Sequence, residues 1–377
     1  MIRVRDGFGL TSVVFAVLAV LLPLSSADDG MSWTDRPMAL AAALALGITG
    51  VIVAWKGLRQ IAWAMAVVVV VSMGALVAIL LLRDGLAGTV SWGFWSYIFA
   101  LWALVWRSIA EIAGYRSVSK PRQRLANLFV PAAFGLWLLF IWEMICVGFG
   151  VPGVLLPPPG AIFIKLFSSL DILWDDFVQT FVKAVISGYI MGCGAGFIAA
   201  ILVDRVPFLK RGLLPLGNMV SALPIIGVAP IMVMWFGFDW QSKAAVVVIM
   251  TFFPMLLNTL AGLSAAGMLE LELMRSYGSS YWQTLFKLRL HAAMPFIFNA
   301  LKINSTLALI GAIVAEFFGT PIVGMGFRIS TEVGRMNVDM VWAEIFIAAL
   351  AGSTFYGVMA VLERSITFWH PSYRAKH

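Results

Sequence analysis

Long apolar runs recur along this 377-residue chain, and they constrain its fold more than any other feature. The hydrocarbon core of a bilayer is about 30 Å thick, which an α-helix of about 20 residues crosses. Inside that layer only helices and closed barrels pair every backbone N–H and C=O group. The pattern therefore predicts an all-α, polytopic membrane protein with about ten transmembrane helices. The predicted spans are 8–26, 37–55, 61–82, 92–110, 127–148, 177–203, 213–236, 243–263, 296–317 and 341–363.

Composition excludes a soluble globular protein. The chain is 61% hydrophobic and only 12% charged, whereas soluble domains are about half apolar and about a quarter charged. The net charge of +7 is spread over short loops and forms no basic stripe, so it reflects membrane topology and not nucleic-acid binding. Cys146 and Cys193 lie in apolar segments with no ligand at metal-binding spacing, so we expect no metal site.

The distribution of Lys and Arg predicts the orientation, because positively charged loops remain in the cytoplasm. If both termini are cytoplasmic, 18 of the 26 basic residues fall in inner segments and six in outer segments. Lys183 and Lys302 lie within or at the edge of spans. We therefore predict a multi-pass membrane protein with the N- and C-termini in the cytoplasm.

Two features concern the first third of the chain. The first apolar run, with Ser25-Ser26-Ala27 after it, also fits a cleaved signal peptide, but its length favours retention as a span. The polar stretch 111–126 marks a predicted boundary between an N-terminal membrane extension, residues 1–126, and a six-helix module, residues 127–377. Almost no polar residue lies within the spans of the extension, so we expect a lipid-facing scaffold or an assembly surface.

A polar segment, Glu270–Pro295, interrupts the apolar runs late in the chain. Acidic residues at its start suit a helix N-terminus, and Gly278 in its middle suits a sharp turn. We predict two short helices that meet at Gly278 and lie outside the bilayer. An amphipathic helix lying in the headgroup region is the alternative.

The order of several segments resembles bacterial ABC importer permeases of the nitrate/sulfonate/taurine type. Glu272, Gly278, Leu288 and Leu290 occupy positions of the cytoplasmic loop motif of that family, while His291 replaces its proline. The resemblance rests further on four segments in the same order: LLPPPG (155–160), SALPIIGVAPIMVMWFG (221–237), FFPMLLNTLAG (252–262) and IVAEFFGTPIVGMG (313–326). Residues 1–126 lie outside the resemblance.

The resemblance implies a permease without its own ATPase site. The chain has no G-x-x-x-x-G-K-[ST] loop, so ATP and Mg would be used by a separate ABC ATPase subunit, and an extracytoplasmic binding protein would deliver the solute. It also implies a homodimer embedded in membrane lipid, and a small solute such as a sulfonate-like anion or a riboflavin- or pyrimidine-like vitamin precursor. The residues implied for ATPase docking, through coupling helices, are Glu272, Arg275, Gly278, Ser279, Trp282, Leu288 and Leu290.

Polar residues within spans are costly and are therefore candidates for the transport pathway. Asn218, Ser221 and Pro224 lie in a proline-rich span that we expect to be broken, either at the pathway or as a packed kink. Asn304 can line a pore or join helices. Glu316 can belong to an outer gate or accept hydrogen bonds from loop amides. Glu143 and Glu344 are candidates by the same reasoning, or they can pair with Lys183 or Lys302 in the bundle.

Two other classes of protein remain as alternatives. An ion-coupled secondary transporter would favour inverted repeats and several buried charges, but no convincing internal repeat is present. An intramembrane enzyme would need a nucleophile and base, or metal ligands, at bilayer depth. No histidine lies in a predicted span.

Overall fold

A computed structural model of the chain describes residues 6–26, 32–58, 60–116, 119–221, 224–319 and 322–369. These residues form helices and turns, with one isolated bridge between Ser25 and Val90. Eight of the helices are long and apolar enough to cross a membrane, judged by length and composition. The prediction of an all-helical polytopic membrane protein is confirmed, while the count of ten spans stays a prediction.

The chain divides into two compact units, Met1–Ile162 and Phe163–His377. The domain boundary near residue 126 stays a prediction. The helices of the first unit are α1 (Gly7–Leu21), α2 (Pro37–Lys56), α3 (Ile61–Leu81), α4 (Trp92–Gly114) and α5 (Lys120–Gly148), and α6 (Pro159–Ser168) crosses the division.

Close packing joins α1 to its neighbours in the first unit. A Cβ atom on Gly9 would lie 2.4 Å from the Ala54 nitrogen, so the absence of a side chain lets α1 and α2 approach closely. Asp6 caps α1 and forms an ion pair with Arg107 of α4. The first apolar run is thus a 15-residue helix packed into this unit.

The second unit contains eight helices in the part that the structure describes. Two of them, α7 and α12, are 36 residues long and each includes a stretch of wider π turns, at Val178–Val185 and Leu285–Arg289. The helices are α7 (Leu170–Arg205), α8 (Pro207–Ser221), α9 (Ile225–Phe236), α10 (Trp240–Leu263), α11 (Met268–Ser276), α12 (Tyr281–Glu316), α13 (Met325–Gly334) and α14 (Val338–Ile366).

Glycines on one face of α7 allow it to pack directly on α10. A Cβ on Gly188 would lie 2.6 Å from Val247, and one on Gly196 would lie 2.4 Å from the Phe252 carbonyl oxygen. Small residues at such spacing bring two helix backbones together in a membrane protein. These glycines therefore let the backbones of α7 and α10 lie in direct contact.

The proline-rich span predicted at 213–236 is two helices, α8 and α9. Pro224 is the N-cap of α9, where its missing N–H costs no hydrogen bond. Pro215 and Pro230 lie inside α8 and α9 respectively. The expected break therefore occurs at the middle proline.

Candidate functional site

The polar segment 270–295 contains one short helix and the start of a long one. The chain leaves α11 through Gly278, whose φ of +63° lies in the left-handed region that glycine adopts without steric cost. Ser280 then caps α12, because its hydroxyl accepts a hydrogen bond from the Gln283 N–H while the Gln283 side chain accepts one from the Ser280 N–H. The predicted pair of short helices is corrected: the second begins at Tyr281 and continues to Glu316.

None of the residues of α11 is buried. Leu269 and Tyr277, near its two ends, are 80% and 79% exposed. Glu272 and Arg275 of α11 are also exposed, as is Trp282 in the first turn of α12. An exposed surface that combines large apolar side chains with charges is typical of a protein contact.

The remaining residues predicted for docking are distributed differently. Gly278 is exposed in the turn, and Ser279 beside it is partly buried. Leu288 and Leu290 are partly buried within α12. Four of the predicted residues are therefore exposed, namely Glu272, Arg275, Gly278 and Trp282. The two leucines lie further along the chain, in the long helix α12.

An ion-pair cluster joins α7 to α12 beside this segment. The Arg289 guanidinium donates to both carboxylate oxygens of Asp204, at 2.7 and 2.8 Å. The Tyr281 hydroxyl donates to Asp204 Oδ2 at 2.9 Å. Arg205 lies over the Tyr281 and Trp282 rings, 5.4 and 5.3 Å from their centroids. Sequence reasoning missed Asp204, and the only signal for it was a carboxylate at the end of an apolar run.

At the opposite end of α7 and α12, side chains hold three successive backbone N–H groups of the loop that begins α13. The Gly324 N–H donates to Asp176, the Met325 N–H to the Thr180 hydroxyl, and the Gly326 N–H to Glu316, at 2.5, 2.8 and 2.7 Å. We call this arrangement the loop clasp. Glu316 is buried and accepts one hydrogen bond from the Gly326 N–H in the first turn of α13, while its role in an outer gate stays a prediction.

Two further contacts complete the loop clasp. The Thr180 hydroxyl donates to the second oxygen of Glu316 at 2.7 Å, so that it links the carboxylate to the Met325 amide. Arg328 of α13 forms an ion pair with Asp176 at 2.7 Å. The buried carboxylates therefore have donors from the surrounding helices and loop, as buried charges require.

Asn304 is buried in the second unit and bonded to its neighbours. Its amide nitrogen donates to the Thr251 carbonyl oxygen at 2.8 Å and lies 3.2 Å from Cys193 Sγ. The side chain thus bridges α12, α10 and α7. The bonds of the amide nitrogen fit helix packing. Its Oδ1 has no hydrogen-bond partner among the described residues, and the pathway role stays a prediction.

The pathway residues predicted in the proline-rich span lie at the junction of α8 and α9. Pro224 is exposed at the start of α9. The side chains of Asn218 and Ser221 lie outside the described part of the structure. Met234 and Trp235, at the other end of α9, are among its most exposed side chains.

The predicted pairing of Glu143 and Glu344 with intramembrane lysines is not what the structure contains. Lys302 pairs with Glu363 at 2.6 Å, and Lys183 donates to the Gln179 side chain at 2.9 Å. Glu143 accepts from the Gly160 N–H at 2.7 Å. Neither carboxylate oxygen of the buried Glu344 has a hydrogen-bond partner among the described residues.

Just outside α10, one carboxylate has a shifted pKa. Asp239 caps α10 and accepts hydrogen bonds from the Gln179 side chain and the Trp240 N–H, both at 2.8 Å. These bonds stabilise the charged form and lower the pKa of Asp239 below its usual value. Asp239 thereby ties the start of α10 to α7.

Residues 192–368 match the family described as the binding-protein-dependent transport system inner membrane component. A probable ABC transporter permease protein of Haemophilus influenzae is 30% identical over 61% of this chain and 93% of its own length. The formylaminopyrimidine transport permease protein ThiX of Halalkalibacterium halodurans is 30% identical over 63% of this chain and 95% of its own. The riboflavin transport system permease protein RibX of Chloroflexus aurantiacus is 27% identical over 67% and 96%.

These matches decide between the classes that the sequence left open. The relatives are aligned over nearly their whole length, so the likeness extends beyond a shared motif. They are permeases, which favours an ABC importer over an ion-coupled secondary transporter or an intramembrane enzyme. The chain belongs to the family of binding-protein-dependent transport system inner membrane components, the membrane permease subunits of ABC importers.

Proposed function

We propose that this chain forms the solute pathway of a bacterial inner-membrane importer and that a separate ATPase subunit docks on α11. In this proposal ATP and Mg bind to the ATPase, two copies of the chain pair in the lipid bilayer, and an extracytoplasmic binding protein delivers the solute. Residues 1–126, which lie before the matched region, serve as a scaffold or assembly surface. The observation that supports docking is that α11 has no buried residue, in a chain of this family.

The physical argument concerns how α11 is held. None of its side chains is buried, so it gains little from packing on its own bundle. Its exposed leucines lose contact with water when a partner covers them, which is worth about 25 cal/mol per Å² of apolar surface. Charges on the same helix, Glu272 and Arg275, give the contact its specificity. A groove of the ATPase that accepts this helix would move it as the ATPase closes on ATP.

The docking proposal is tested by co-purification of the ATPase with Glu272→Arg and Gly278→Pro variants of the tagged permease. We expect both variants to lose the ATPase and to stop solute uptake. Asp171→Arg is the matched control, because Asp171 is also an exposed carboxylate on a helix, but at the far end of α7. Retention of the ATPase and of uptake by both test variants would rule out docking on α11.

The orientation is tested by labelling from outside intact cells. Both native cysteines are buried, so a maleimide reacts with an introduced cysteine selectively. We expect Ser279→Cys and Ser280→Cys to be labelled only after the membrane is made permeable. Ser168→Cys, exposed at the end of α6 on the predicted outer side, is expected to react in intact cells. Labelling of Ser279→Cys from outside would place α11 on the wrong side for an ATPase.

For the solute we propose a planar heterocycle of the vitamin-precursor type. Two of the relatives described above are named for riboflavin and formylaminopyrimidine transport. The exposed end of α9 carries Met234 and Trp235, and no charged residue occurs between Ile225 and Phe236. Aromatic rings and polarizable thioethers favour flat, weakly charged molecules, whereas an anion needs a cation or an aimed backbone dipole.

Uptake of labelled compounds by cells that express the whole transporter tests the solute. We expect riboflavin or formylaminopyrimidine to accumulate and taurine not to do so. Cells that carry the Gly278→Pro permease provide the background, because their transporter lacks its ATPase in this proposal. Accumulation of taurine alone would refute a heterocyclic solute while leaving the docking proposal intact.

A further inference from the structure

We propose that the Asp204–Arg289 ion pair carries the movement of α11 into the membrane helices, so that Asp204 and Arg289 are positioning residues for coupling ATP hydrolysis to transport. The inference rests on the proposed docking of an ATPase on α11. It goes beyond that docking because it names the contact through which a push on an exposed helix reaches the bundle.

The exposure of α11 limits the routes by which it can act. Because none of its side chains is buried, a displacement passes on mainly through the two chain ends of the helix. One end follows Leu263, the last residue of α10, and the other precedes Tyr281, the first residue of α12. A contact that holds both of these residues therefore receives the movement from both directions.

Arg289 and Asp204 hold both ends of this connection. Arg289 Nε donates to the Leu263 carbonyl oxygen at 2.9 Å, while its other nitrogens form the two-pronged bond to Asp204. On the other side, the Tyr281 hydroxyl donates to the same carboxylate. The ends of α10 and α7 and the start of α12 thus meet at one guanidinium and one carboxylate.

The geometry of the pair suits it to transmit movement. The Asp204 and Arg289 side chains are only 8% and 18% exposed, so water screens the pair weakly. Two parallel N–H to oxygen bonds fix the direction as well as the distance between the groups. Arg289 also ends the stretch of π turns in α12, and such turns mark places where a helix can change its register.

The second unit contains a matched ion pair that lacks this connection. Lys302 of α12 and Glu363 of α14 lie 2.6 Å apart, with side chains 17% and 9% exposed. Their burial is similar, but neither residue touches an end of α11 in the bonds described above. Loss of this pair therefore measures the general cost of breaking a buried ion pair in the same bundle.

The test uses the complete transporter in proteoliposomes and measures the ratio of solute taken up to ATP hydrolysed. We expect Asp204→Asn and Arg289→Lys to lower the ratio at least about fivefold, since each weakens a charge-assisted bond, while the ATPase still co-purifies. Tyr281→Phe removes one hydroxyl from the carboxylate and is expected to lower the ratio about twofold. We expect Glu363→Gln to leave the ratio at the wild-type value, because its ion pair is not part of the contact at the ends of α11.

Each outcome of this test concerns the Asp204–Arg289 ion pair and can be told apart from a failure of the ATPase to dock. An unchanged ratio in all three variants overturns the proposal, as does an equal loss in Glu363→Gln. Loss of ATPase association in Arg289→Lys overturns it too, because the pair would then shape the docking surface and not transmit movement. If Asp204→Asn and Arg289→Lys fail to fold, Tyr281→Phe decides, since it leaves the ion pair intact. Failure of docking itself is recognised by normal association and uptake in Glu272→Arg.

Discussion

Substitution of Thr180 by valine removes the hydroxyl at the centre of the loop clasp while keeping the shape of the side chain. Thr180 is fully buried, and its hydroxyl donates to Glu316 and accepts from the Met325 N–H. The change leaves a buried N–H without an acceptor, which costs about 1 to 3 kcal/mol, and removes a hydrogen bond to a charged acceptor worth about 1.5 to 3 kcal/mol. Adding these two costs and taking a value near the low end of the sum, we expect the loop to be destabilised by about 3 kcal/mol.

Hydrogen exchange of the amides at 324–326 measures this loss, because exchange of a bonded amide requires local opening. A change of about 1.4 kcal/mol is tenfold in an equilibrium constant, so we expect exchange to be about 100-fold faster in Thr180→Val. Thr331→Val is the matched control: its hydroxyl donates only to the Phe327 carbonyl oxygen within α13. Exchange that changes less than about threefold in Thr180→Val, or equally in both variants, would refute the clasp as the restraint on this loop.

Two further predictions test individual residues. Gly278→Ala adds a Cβ in the left-handed region, which costs about 1 to 2 kcal/mol, so we expect the affinity for the ATPase to fall about fivefold or more. The control is Gly212→Ala, where a Cβ likewise meets no atom within 4 Å, and we expect it to bind normally. Equal binding by both variants would contradict the need for a left-handed turn at Gly278. Asn304→Leu removes the bond to Thr251, and we expect it to destabilise the protein by about 1 to 3 kcal/mol, measured as a lower unfolding temperature, without changing solute preference. The control is Thr306→Ala, whose exposed hydroxyl bonds only within α12. A changed solute preference at normal stability would make Asn304 a pathway residue.

Hydropathy predicted the membrane helices well because a bilayer demands a fixed length of apolar helix. It failed where charged residues lie inside a helix. Lys287 and Arg289 made the helix after Gly278 look short and separate from the next span, yet both residues lie within α12, where Arg289 is paired with Asp204, 85 positions away. No local pattern contains that partner, so the long helix could not be recognised from its own sequence.

The candidate site shows the same division between local and distant information. The turn at Gly278 and the capping residue Ser280 follow from residues a few positions apart, and the sequence predicted a break there. The partners of Glu316 are Thr180 and the Gly326 amide, and the first of these is 136 positions away. Glu344 and Lys302 were considered as a pair on charge alone, but Lys302 meets Glu363, which lies near the other end of α14 from Glu344.

The ion-pair cluster of Asp204 and Arg289 and the loop clasp lie at opposite ends of the same two helices. Asp204 and Asp176 of α7 are 28 residues apart, about 42 Å along a helix that rises 1.5 Å per residue, and Arg289 and Glu316 of α12 are separated by nearly the same length. Between them the Tyr189 hydroxyl of α7 donates to the Leu301 carbonyl oxygen of α12 at 3.0 Å. Two helices tied at both ends and in the middle resist sliding past each other without breaking a bond at one of these points. In the proposed coupling, a push received at Arg289 would therefore move α7 and α12 together as a pair and would reach the loop held by Asp176, Thr180 and Glu316 at the far end.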